Sequence, residues 1–257
     1  MTDGNDLSTV PTISADGRFV TYFSQATDLV PDDTNGYWDV FVWDAVTGTT
    51  ARITDGDNHS VLPAISADGR YIAYTSYASN LVPGDTNGAG DVFVWDAATG
   101  TTTRITDGNG NSLRPSISAD GRYVTYNSHA SNLVPDDANG AGDVFVWDAA
   151  TGTTTRITDG NADSGEPAIS ADGHHVTYNS FASDLAADDT NGATDVFAWN
   201  ATTGTTIRVT RGNGESFESA ISADGTLITF MSQASDLVDG DTDTNGWFDV
   251  YAWERAG

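Results

Sequence analysis

A unit of about 52 residues occurs five times along this chain, and this periodicity restricts the possible folds more than any other feature. The sequence Ile-Ser-Ala-Asp-Gly recurs every 52 residues, starting at Ile13, Ile65, Ile117, Ile169 and Ile221. An apolar run ending in Trp has the same spacing, with a two-residue insertion near Asp241 delaying the last copy: Trp43, Trp95, Trp147, Trp199 and Trp253. Repeats of this length are typical of solenoids, propellers and arrays, in which each unit buries its apolar surface against its neighbours.

Each unit reads as four short strands. In the second unit they are predicted at residues 61–66, 70–75, 91–96 and 101–106. The Ala67-Asp68-Gly69 segment between the first two is a tight turn, in which Asp bonds its own backbone and Gly supplies a positive φ. A long loop, residues 76–90, joins the second strand to the third.

The third strand of each unit is apolar on both faces. Val92 and Val94 point to one side, and Phe93 and Trp95 to the other. A sheet with one solvated face would alternate apolar and polar residues, so each sheet must be covered on both sides, as propeller blades are. We therefore predict an all-β, five-bladed β-propeller of four antiparallel strands per blade, forming a single domain over residues 1–257. A linear β-solenoid is the alternative fold.

The motif Pro-x-Ile-Ser-Ala-Asp-Gly-Arg-Tyr-Val-x-Tyr-x-Ser, followed by Asp-Val-Phe-Val-Trp-Asp, resembles the TolB-type (WD-like) propeller repeat of bacterial envelope proteins. The resemblance covers essentially the whole chain. The sequence departs from that pattern in having Ala where the family mostly has Pro before Asp-Gly, and in its longer loop between the second and third strands. The resemblance implies a propeller used mainly for protein contacts, in the periplasm or outside the cell.

The two ends of the chain do not complete the fifth unit. Residues 2–4 align with Thr54-Asp55-Gly56, which follow a fourth strand, and the last residues follow a third strand. We therefore predict a last blade of three strands, with an unpaired edge at residues 249–253. Such an edge favours strand addition and self-association, although a short bare edge can also be tolerated.

An acidic loop recurs in every unit and resembles a calcium-binding loop. The first copy reads Asp33-Thr34-Asn35-Gly36-x-x-Asp39, and the fifth fills every position of the pattern Asp-x-Asp-x-Asn-Gly-x-x-Asp. Calcium prefers six to eight oxygen ligands at flexible distances, which suits it better than Mg²⁺ to such a loop. The candidate Ca²⁺ ligands are Asp33, Asn35, Asp39, Asp85, Asn87, Asp91, Asp137, Asn139, Asp143, Asp189, Asn191, Asp195, Asp241, Asp243, Asn245 and Asp249. The alternative is that each loop is a plain Asx turn.

The charge of the chain excludes several partners. It carries 37 acidic residues against 10 basic ones, for a net charge of −27, and it contains no Cys. Nucleic acids and anionic membranes require a basic surface, so neither is expected to bind. No apolar run is long enough to span a membrane as a helix.

Little in the sequence points to catalysis. The four His residues do not recur at equivalent places in different units. Glu166 and Glu218, in adjacent units, are the only plausible carboxylate pair for a glycosidase. We therefore predict no enzymatic activity and keep a glycoside hydrolase as a minor alternative.

The best candidates for ligand or partner contact are aromatic residues on the loop-bearing face. Tyr37-Trp38 and Trp247-Phe248 stand where other units have small residues, and we expect them to gather where the first and fifth blades meet, either as a binding site or as a cover for the incomplete blade. The full set is Tyr37, Trp38, Trp247, Phe248, Tyr77, His129 and Phe181. The sequence thus predicts a calcium-stabilised, periplasmic or extracellular bacterial module that binds a protein, with a sugar-binding lectin as the alternative.

Overall fold

The computed structural model describes residues 2–238 and 243–255, and within them the chain forms strands and turns but no helix. Blade one contains β1 (Ser8–Ile13), β2 (Phe19–Ser24), β3 (Asp39–Asp44) and β4 (Thr49–Arg52). Blade two contains β5 (Ser60–Ile65), β6 (Tyr71–Ser76), β7 (Asp91–Asp96) and β8 (Thr101–Arg104). Blade three contains β9 (Ser112–Ile117), β10 (Tyr123–Ser128), β11 (Asp143–Asp148) and β12 (Thr153–Arg156). Blade four contains β13 (Ser164–Ile169), β14 (His175–Ser180), β15 (Asp195–Asn200) and β16 (Thr205–Arg208), and blade five contains β17 (Ser216–Ile221), β18 (Leu227–Ser232) and β19 (Asp249–Glu254).

Each blade is an antiparallel meander whose strands pair in chain order. The first four sheets have four strands each and the fifth has three, ordered β17-β18-β19. The five-bladed all-β fold and the three-stranded last blade are therefore confirmed. The predicted strands of the second unit agree with β5–β8 to within two residues at each end.

The core lies between the blades, because the third strands are apolar on both faces. Val92 and Val94 of β7 pack against Val124, Tyr126 and Phe145 of the next blade. The three residues that blade three contributes are completely buried. Burying one such side chain contributes about 1.5–3 kcal/mol, so repeated inter-blade contacts are the main source of stability.

The long loops are anchored by apolar residues of their own. Leu81 and Val82 pack on the core between blades one and two, and Leu133 and Val134 do the same one blade later. The packing shows that each loop inserts a short apolar segment between two blades.

Hydrogen bonds between the Ala-Asp-Gly turns explain why this chain has Ala where similar repeats have Pro. The N–H of Ala15 donates to the carbonyl oxygen of Ala67 at 2.9 Å, and Ala67 donates to Ala119 at 3.0 Å. The same bond joins Ala119 to Ala171 and Ala171 to Ala223, each at 3.0 Å. Proline has no N–H to donate, so Ala at these positions adds a direct link between successive blades.

The five blades do not close into a ring. Within the described part of the chain, no corresponding hydrogen bond links Ala223 to the turn at Ala15, and no strand of the fifth blade packs extensively on the first. Val250 is 77% exposed, whereas its counterparts in the other blades are fully buried. Ile13 of blade one is 60% exposed. The expectation that blades one and five meet at a seam is therefore wrong, and each end of the array presents an apolar face.

The first strand of every blade contains a strained residue. Val10, Leu62, Arg114, Glu166 and Glu218 all have φ between 50° and 55°, and each described pairing with the second strand shifts register at this point. Residues of this set from the first four blades line a central hollow of about 200 Å³. A left-handed conformation costs a residue with a side chain about 1–2 kcal/mol, so the bulge is kept at some cost in stability.

Replacing Glu218 with glycine is expected to stabilise the protein by about 1 kcal/mol, because glycine adopts a positive φ without a steric penalty. The Glu218 side chain is exposed, so little packing is lost. Glu218→Ala is the matched control, since alanine removes the same carboxylate and keeps the strain. Thermal unfolding of both variants measures the difference. Equal stability of the two variants would show that the bulge is unstrained.

Candidate functional site

The acidic loop of blade one folds around an arginine. Asp33 comes from the loop between β2 and β3, and Asp39 is the first residue of β3. Arg52, at the end of β4, places Nη1 2.9 Å from Asp33 Oδ1 and 3.6 Å from Asp39 Oδ2. Its Nη2 lies 2.8 Å from Asp55 Oδ1. The guanidinium therefore supplies positive charge at the place where the loop pattern predicts a metal ion.

Polar side chains complete the surroundings of Asp39. Thr54 Oγ1 donates to Asp39 Oδ1 at 2.7 Å, and Asn35 Nδ2 donates to Asp39 Oδ2 at 2.8 Å. Asn35 Nδ2 also contacts the carbonyl oxygen of Gly56 at 3.3 Å, which ties the loop to the connection leading into the next blade. Asn35 Oδ1 accepts from the N–H of Tyr37 at 2.9 Å, so the predicted Asx turn is also present.

The same network recurs in the next three blades. One arginine reaches both acids of its loop, with ion-pair distances from 2.6 to 3.5 Å: Arg104 with Asp85 and Asp91, Arg156 with Asp137 and Asp143, and Arg208 with Asp189 and Asp195. A threonine bonds the buried acid each time: Thr106 with Asp91, Thr158 with Asp143 and Thr210 with Asp195. Asn87, Asn139 and Asn191 bridge to the backbone as Asn35 does. The network is thus a structural unit of the repeat.

Burial makes the first acid of the third strand hard to ionise. Burial raises the pKa of the Asp39 carboxyl to about 6, and the hydrogen bonds from Thr54 and Asn35 and the charge of Arg52 only partly offset this rise. Burial also raises the pKa of Asp91, Asp143 and Asp195. Each intact network therefore holds a carboxylate whose ionised form depends on the neighbouring arginine and hydroxyl.

The free energy of unfolding is expected to be greatest near pH 4 and to fall between pH 4 and pH 6. A carboxyl whose pKa is raised on folding stabilises the folded state most below its unfolded pKa of 3.8, and that stabilisation is lost as the pH rises through 6. Below pH 4 the free energy of unfolding should fall as well, because Arg18 and Arg70 hold the pKa of Asp44 and Asp96 at about 2. Carboxyls whose pKa is lowered on folding lose their stabilising effect as they take up protons. Denaturant unfolding from pH 3 to 7 measures the profile.

Asp39→Asn is the control for this profile. It removes one titrating group, so it should reduce the fall between pH 4 and pH 6 by at most about 2 kcal/mol. A free energy of unfolding that keeps rising from pH 4 to pH 7 would contradict the assignment.

The fifth blade has the acids but not the arginine. Asn245 Nδ2 donates to Asp249 Oδ2 at 3.0 Å, and the N–H of Asn245 donates to Asp243 Oδ1 at 2.9 Å. Asp243 Oδ2 is buried and has no hydrogen-bond partner among the described residues. Asp241, the remaining predicted ligand of this loop, lies outside the described residues. The described residues of the fifth blade form three strands, without the fourth strand that carries the arginine elsewhere, so this acidic pair has no described cationic partner.

The structure brings the predicted calcium ligands of each described loop together, but does so around arginine in four blades. Within residues 2–238 and 243–255, no three His, Cys, Asp or Glu side chains are grouped closely enough to hold a metal ion by themselves. Calcium binding therefore stays a prediction. Four arginines of this network were not predicted from the sequence, although their fixed position 13 residues after the buried Asp was a usable signal: Arg52, Arg104, Arg156 and Arg208.

The predicted aromatic contacts lie on the loop-bearing face, but they do not gather at one place. Tyr37 packs edge-on to His59 at 5.2 Å, and Trp38 packs on Phe23 at 5.1 Å. In blade five, Phe248 packs on Phe217 at 4.8 Å, and Trp247 is 76% exposed. Within the described residues no ring contact joins these two groups, because blades one and five are not neighbours.

Instead, each blade carries one ring at a corresponding place. In blades two to four the ring belongs to the residue directly after the second strand. In blades one and five it belongs to the residue directly before the third strand. Tyr77 and His129 lie over Gly90 and Gly142, where an added Cβ would approach the rings to 2.7 and 2.5 Å. The ring in each of the five blades is Trp38, Tyr77, His129, Phe181 and Phe248. We call these five side chains the aromatic set; Phe181 is 61% exposed and Tyr77 40%.

The residues considered for catalysis have ordinary structural contacts. Glu166 Oε1 lies 3.1 Å from Arg114 Nη1 at the central hollow. His59 Nδ1 accepts from the N–H of Trp38 at 3.1 Å, and His175 lies beside Gly225 of the next blade. The described residues include no helix that is long and apolar enough to cross a membrane.

Comparison with known proteins agrees with this geometry. The family model described as TolB beta propeller domain matches residues 42–247. A relative in Francisella tularensis subsp. holarctica (strain OSU18), named Tol-Pal system protein TolB, is 34% identical over 102 residues, which are 40% of this chain and 20% of that protein. The chain thus matches about one fifth of the length of this curated relative.

Solved structures of TolB proteins share the fold. TolB from Acinetobacter baumannii superposes with a TM-score of 0.60 at 18% identity, covering 94% of this chain and 51% of that one. A putative TolB from Agrobacterium tumefaciens gives a TM-score of 0.63 at 18% identity, covering 97% of this chain and 77% of that one. The repeat motif, the five sheets and the family match together show that the chain belongs to the TolB beta propeller domain family.

Proposed function

We propose that this protein is a non-enzymatic module that binds a protein partner through its loop-bearing face. The observation that carries the proposal is the aromatic set, which gives every blade at least one ring on this face, with Phe181 and Tyr77 substantially exposed. Exposed aromatic side chains are enriched at the energetic centres of protein interfaces. Sequence relatives named as Tol-Pal system proteins support a protein partner in the same system, and the resemblance to the TolB-type repeat favours a periplasmic location.

Charge narrows the class of partner. The same face carries Asp55, Asp107 and Asp159, each more than 70% exposed while paired with an arginine. With the net charge of −27, this favours a partner that presents a basic surface. Association should then slow as salt is added, because screening weakens long-range attraction.

Surface plasmon resonance against purified periplasmic domains of Tol-Pal system proteins tests the proposal. Phe181→Ala and Tyr77→Ala are each expected to weaken binding about tenfold or more, as loss of an interface hot spot does. Val46→Ala is the matched control, since Val46 is 75% exposed in the turn between β3 and β4, at the opposite end of the blade. Binding that is unchanged in both aromatic variants would contradict this assignment of the face.

The two alternative functions have their own tests. A lectin predicts binding on a glycan array that is lost in the aromatic variants, because sugars stack on exposed rings. A glycoside hydrolase predicts turnover that is lost in Glu166→Gln or Glu218→Gln. The ion pair between Glu166 and Arg114 favours a structural role for that carboxylate.

We further propose that Ca²⁺ binds chiefly at the fifth loop, where Asp243, Asn245 and Asp249 have no described arginine beside them. Calorimetric titration of chelator-treated protein is expected to show one strong site that Asp249→Asn removes, and a higher melting temperature when the ion is present. Five sites of similar affinity would support calcium in every blade and contradict this narrower proposal. An absence of heat would contradict both.

A further inference from the structure

A groove of about 390 Å³ separates the outer strands of blade two from blade three, at the end of the blades opposite the loop-bearing face. Trp147 of β11 and the turn at residues 120–122 form its wall on the side of blade three, with Ala149 and Ala150 beside them. Trp147 also packs against the core between the two blades and remains partly exposed. The groove therefore has on its wall an indole ring that core contacts hold in place.

The wall on the side of blade two is the face of a sheet and not its edge. Val94 lies opposite Thr103 in the pairing of β7 with β8, and Asp96 lies opposite Thr101. All four residues line the groove, and residues two apart in a strand point to the same side of the sheet. A ligand in the groove therefore meets side chains and not a row of free backbone groups, which disfavours an added peptide strand as the occupant.

Several hydrogen-bonding groups of the lining residues have no partner in the described part of the chain. Arg122 donates from Nε and Nη2 to Asp148 at 3.0 and 2.9 Å, which leaves Nη1 unpaired. Asp120 Oδ1 accepts from the N–H of Arg122 at 3.0 Å, and Asp120 Oδ2 has no further partner. The indole N–H of Trp147 and the hydroxyl of Thr103 are also unpaired. The groove thus combines fixed donors, a free acceptor and an apolar floor.

We propose that this groove binds a neutral hexopyranose, with the apolar face of the sugar ring on Trp147. The unpaired groups include a guanidinium nitrogen of Arg122 and a carboxylate oxygen of Asp120, so a ligand with a single charge would meet a group of like charge. A hydroxyl both donates and accepts hydrogen bonds, and neighbouring hydroxyls of one sugar can satisfy both groups. A concave, largely apolar site with a few polar groups is typical of small-molecule sites.

The proposal goes beyond the proposed function, because the ligand is a sugar and the site lies away from the aromatic set. The repeat places similar residues in the groove one blade earlier. Trp95, Asp68 and Arg70 correspond there to the residues of blade three, whereas Ala51 stands in the place of Thr103. That groove is expected to bind the same sugar about two- to tenfold more weakly, since one hydrogen bond is lost.

An NMR titration of the full chain labelled with ¹⁵N tests the proposal, because each indole N–H gives its own signal. The probes are the methyl glycosides of glucose, galactose, mannose and N-acetylglucosamine. We expect at least one of them to shift the Trp147 signal in a saturable way, with the Trp95 signal responding at higher concentration. If none of the four probes shifts the Trp147 signal, the proposal is wrong.

Variants of the polar groups locate the site. Arg122→His should weaken binding at Trp147 about two- to tenfold, and the fold tolerates the change because blade four has His174 at this position. Asp120→Asn should weaken binding about tenfold or more, since a charge-assisted hydrogen bond is lost.

Arg18→His is the matched control for these variants. Arg18 makes the same ion pair and ring contact in blade one, with Asp44 and Phe19, but does not line this groove. We therefore expect Arg18→His to leave the titration at Trp147 unchanged. Equal weakening by Arg18→His and Arg122→His would overturn the proposal. A sugar that shifts the indole signal of Trp38 and not that of Trp147 would place the site on the loop-bearing face and also overturn it.

Discussion

Replacing Arg208 with alanine is expected to destabilise the protein by about 3–5 kcal/mol at pH 7, because it leaves buried carboxylates without a counter-charge. Arg208 Nη2 lies 2.6 Å from Asp195 and 3.4 Å from Asp189, and the side chains of all three residues are at most 3% exposed. Its Nη1 also donates to the carbonyl oxygen of Asp188 at 2.8 Å. Denaturant unfolding of the variant measures the loss.

Arg211 provides the matched control in the same blade. It pairs with Asp188 at the surface, where the two side chains are 65% and 49% exposed, so Arg211→Ala should cost less than about 1 kcal/mol. The cost of Arg208→Ala should also shrink at pH 4, because Asp195 can then take up a proton; burial already raises its pKa. Equal losses for the two variants at pH 7 would show that the buried network contributes nothing net to stability.

Replacing Gly121 with alanine is expected to destabilise the protein by about 2–5 kcal/mol, through a steric clash between two blades. Gly121 has φ of 73°, and a Cβ built on it would lie 2.1 Å from Cδ2 of Tyr71 in the preceding blade. The ring has to move, and the core contacts of Tyr71 with blade three would be disturbed. Thermal and denaturant unfolding measure the effect.

Gly100→Ala separates the clash from the backbone strain. Gly100 has φ of 69°, and no atom lies within 4 Å of its built Cβ. Its replacement should therefore cost only the strain, about 1–2 kcal/mol. If Gly121→Ala is no worse than Gly100→Ala, the ring over the turn does not help to hold the blades together.

Several features could be predicted from the sequence because they depend on local patterns. The 52-residue period, the two apolar faces of β7 and the Asp-Gly turns predicted the blades and their strands to within two residues. The three strands described for the fifth blade were predicted by aligning the given sequence with its internal copies. These predictions hold because strand pairing in a meander joins neighbours along the chain, so little long-range information is needed.

Other features required the tertiary structure. The acidic loops have the spacing of a calcium loop, yet Asp39 and Arg52 meet only because β3 pairs with β4 and brings the arginine back beside the loop. The loop residues alone could not show this, since the same residues can face a metal or a guanidinium. Ala15 looked like a minor departure from the family pattern until its N–H was found donating to the next blade.

By itself the sequence determined the repeat, the number of blades, the strands within each blade and the family, because all of these follow from local periodicity. Within the described residues, the tertiary structure decided that the first and fifth blades do not meet, that an arginine pairs with the acids of four of the five loops, and that every blade holds at least one ring on the loop-bearing face. These depend on how neighbouring blades pack and on whether the last blade meets the first. The physical reason is that a repeat specifies its contact with the next repeat, while closure needs a contact between the first and last blades that no single repeat encodes.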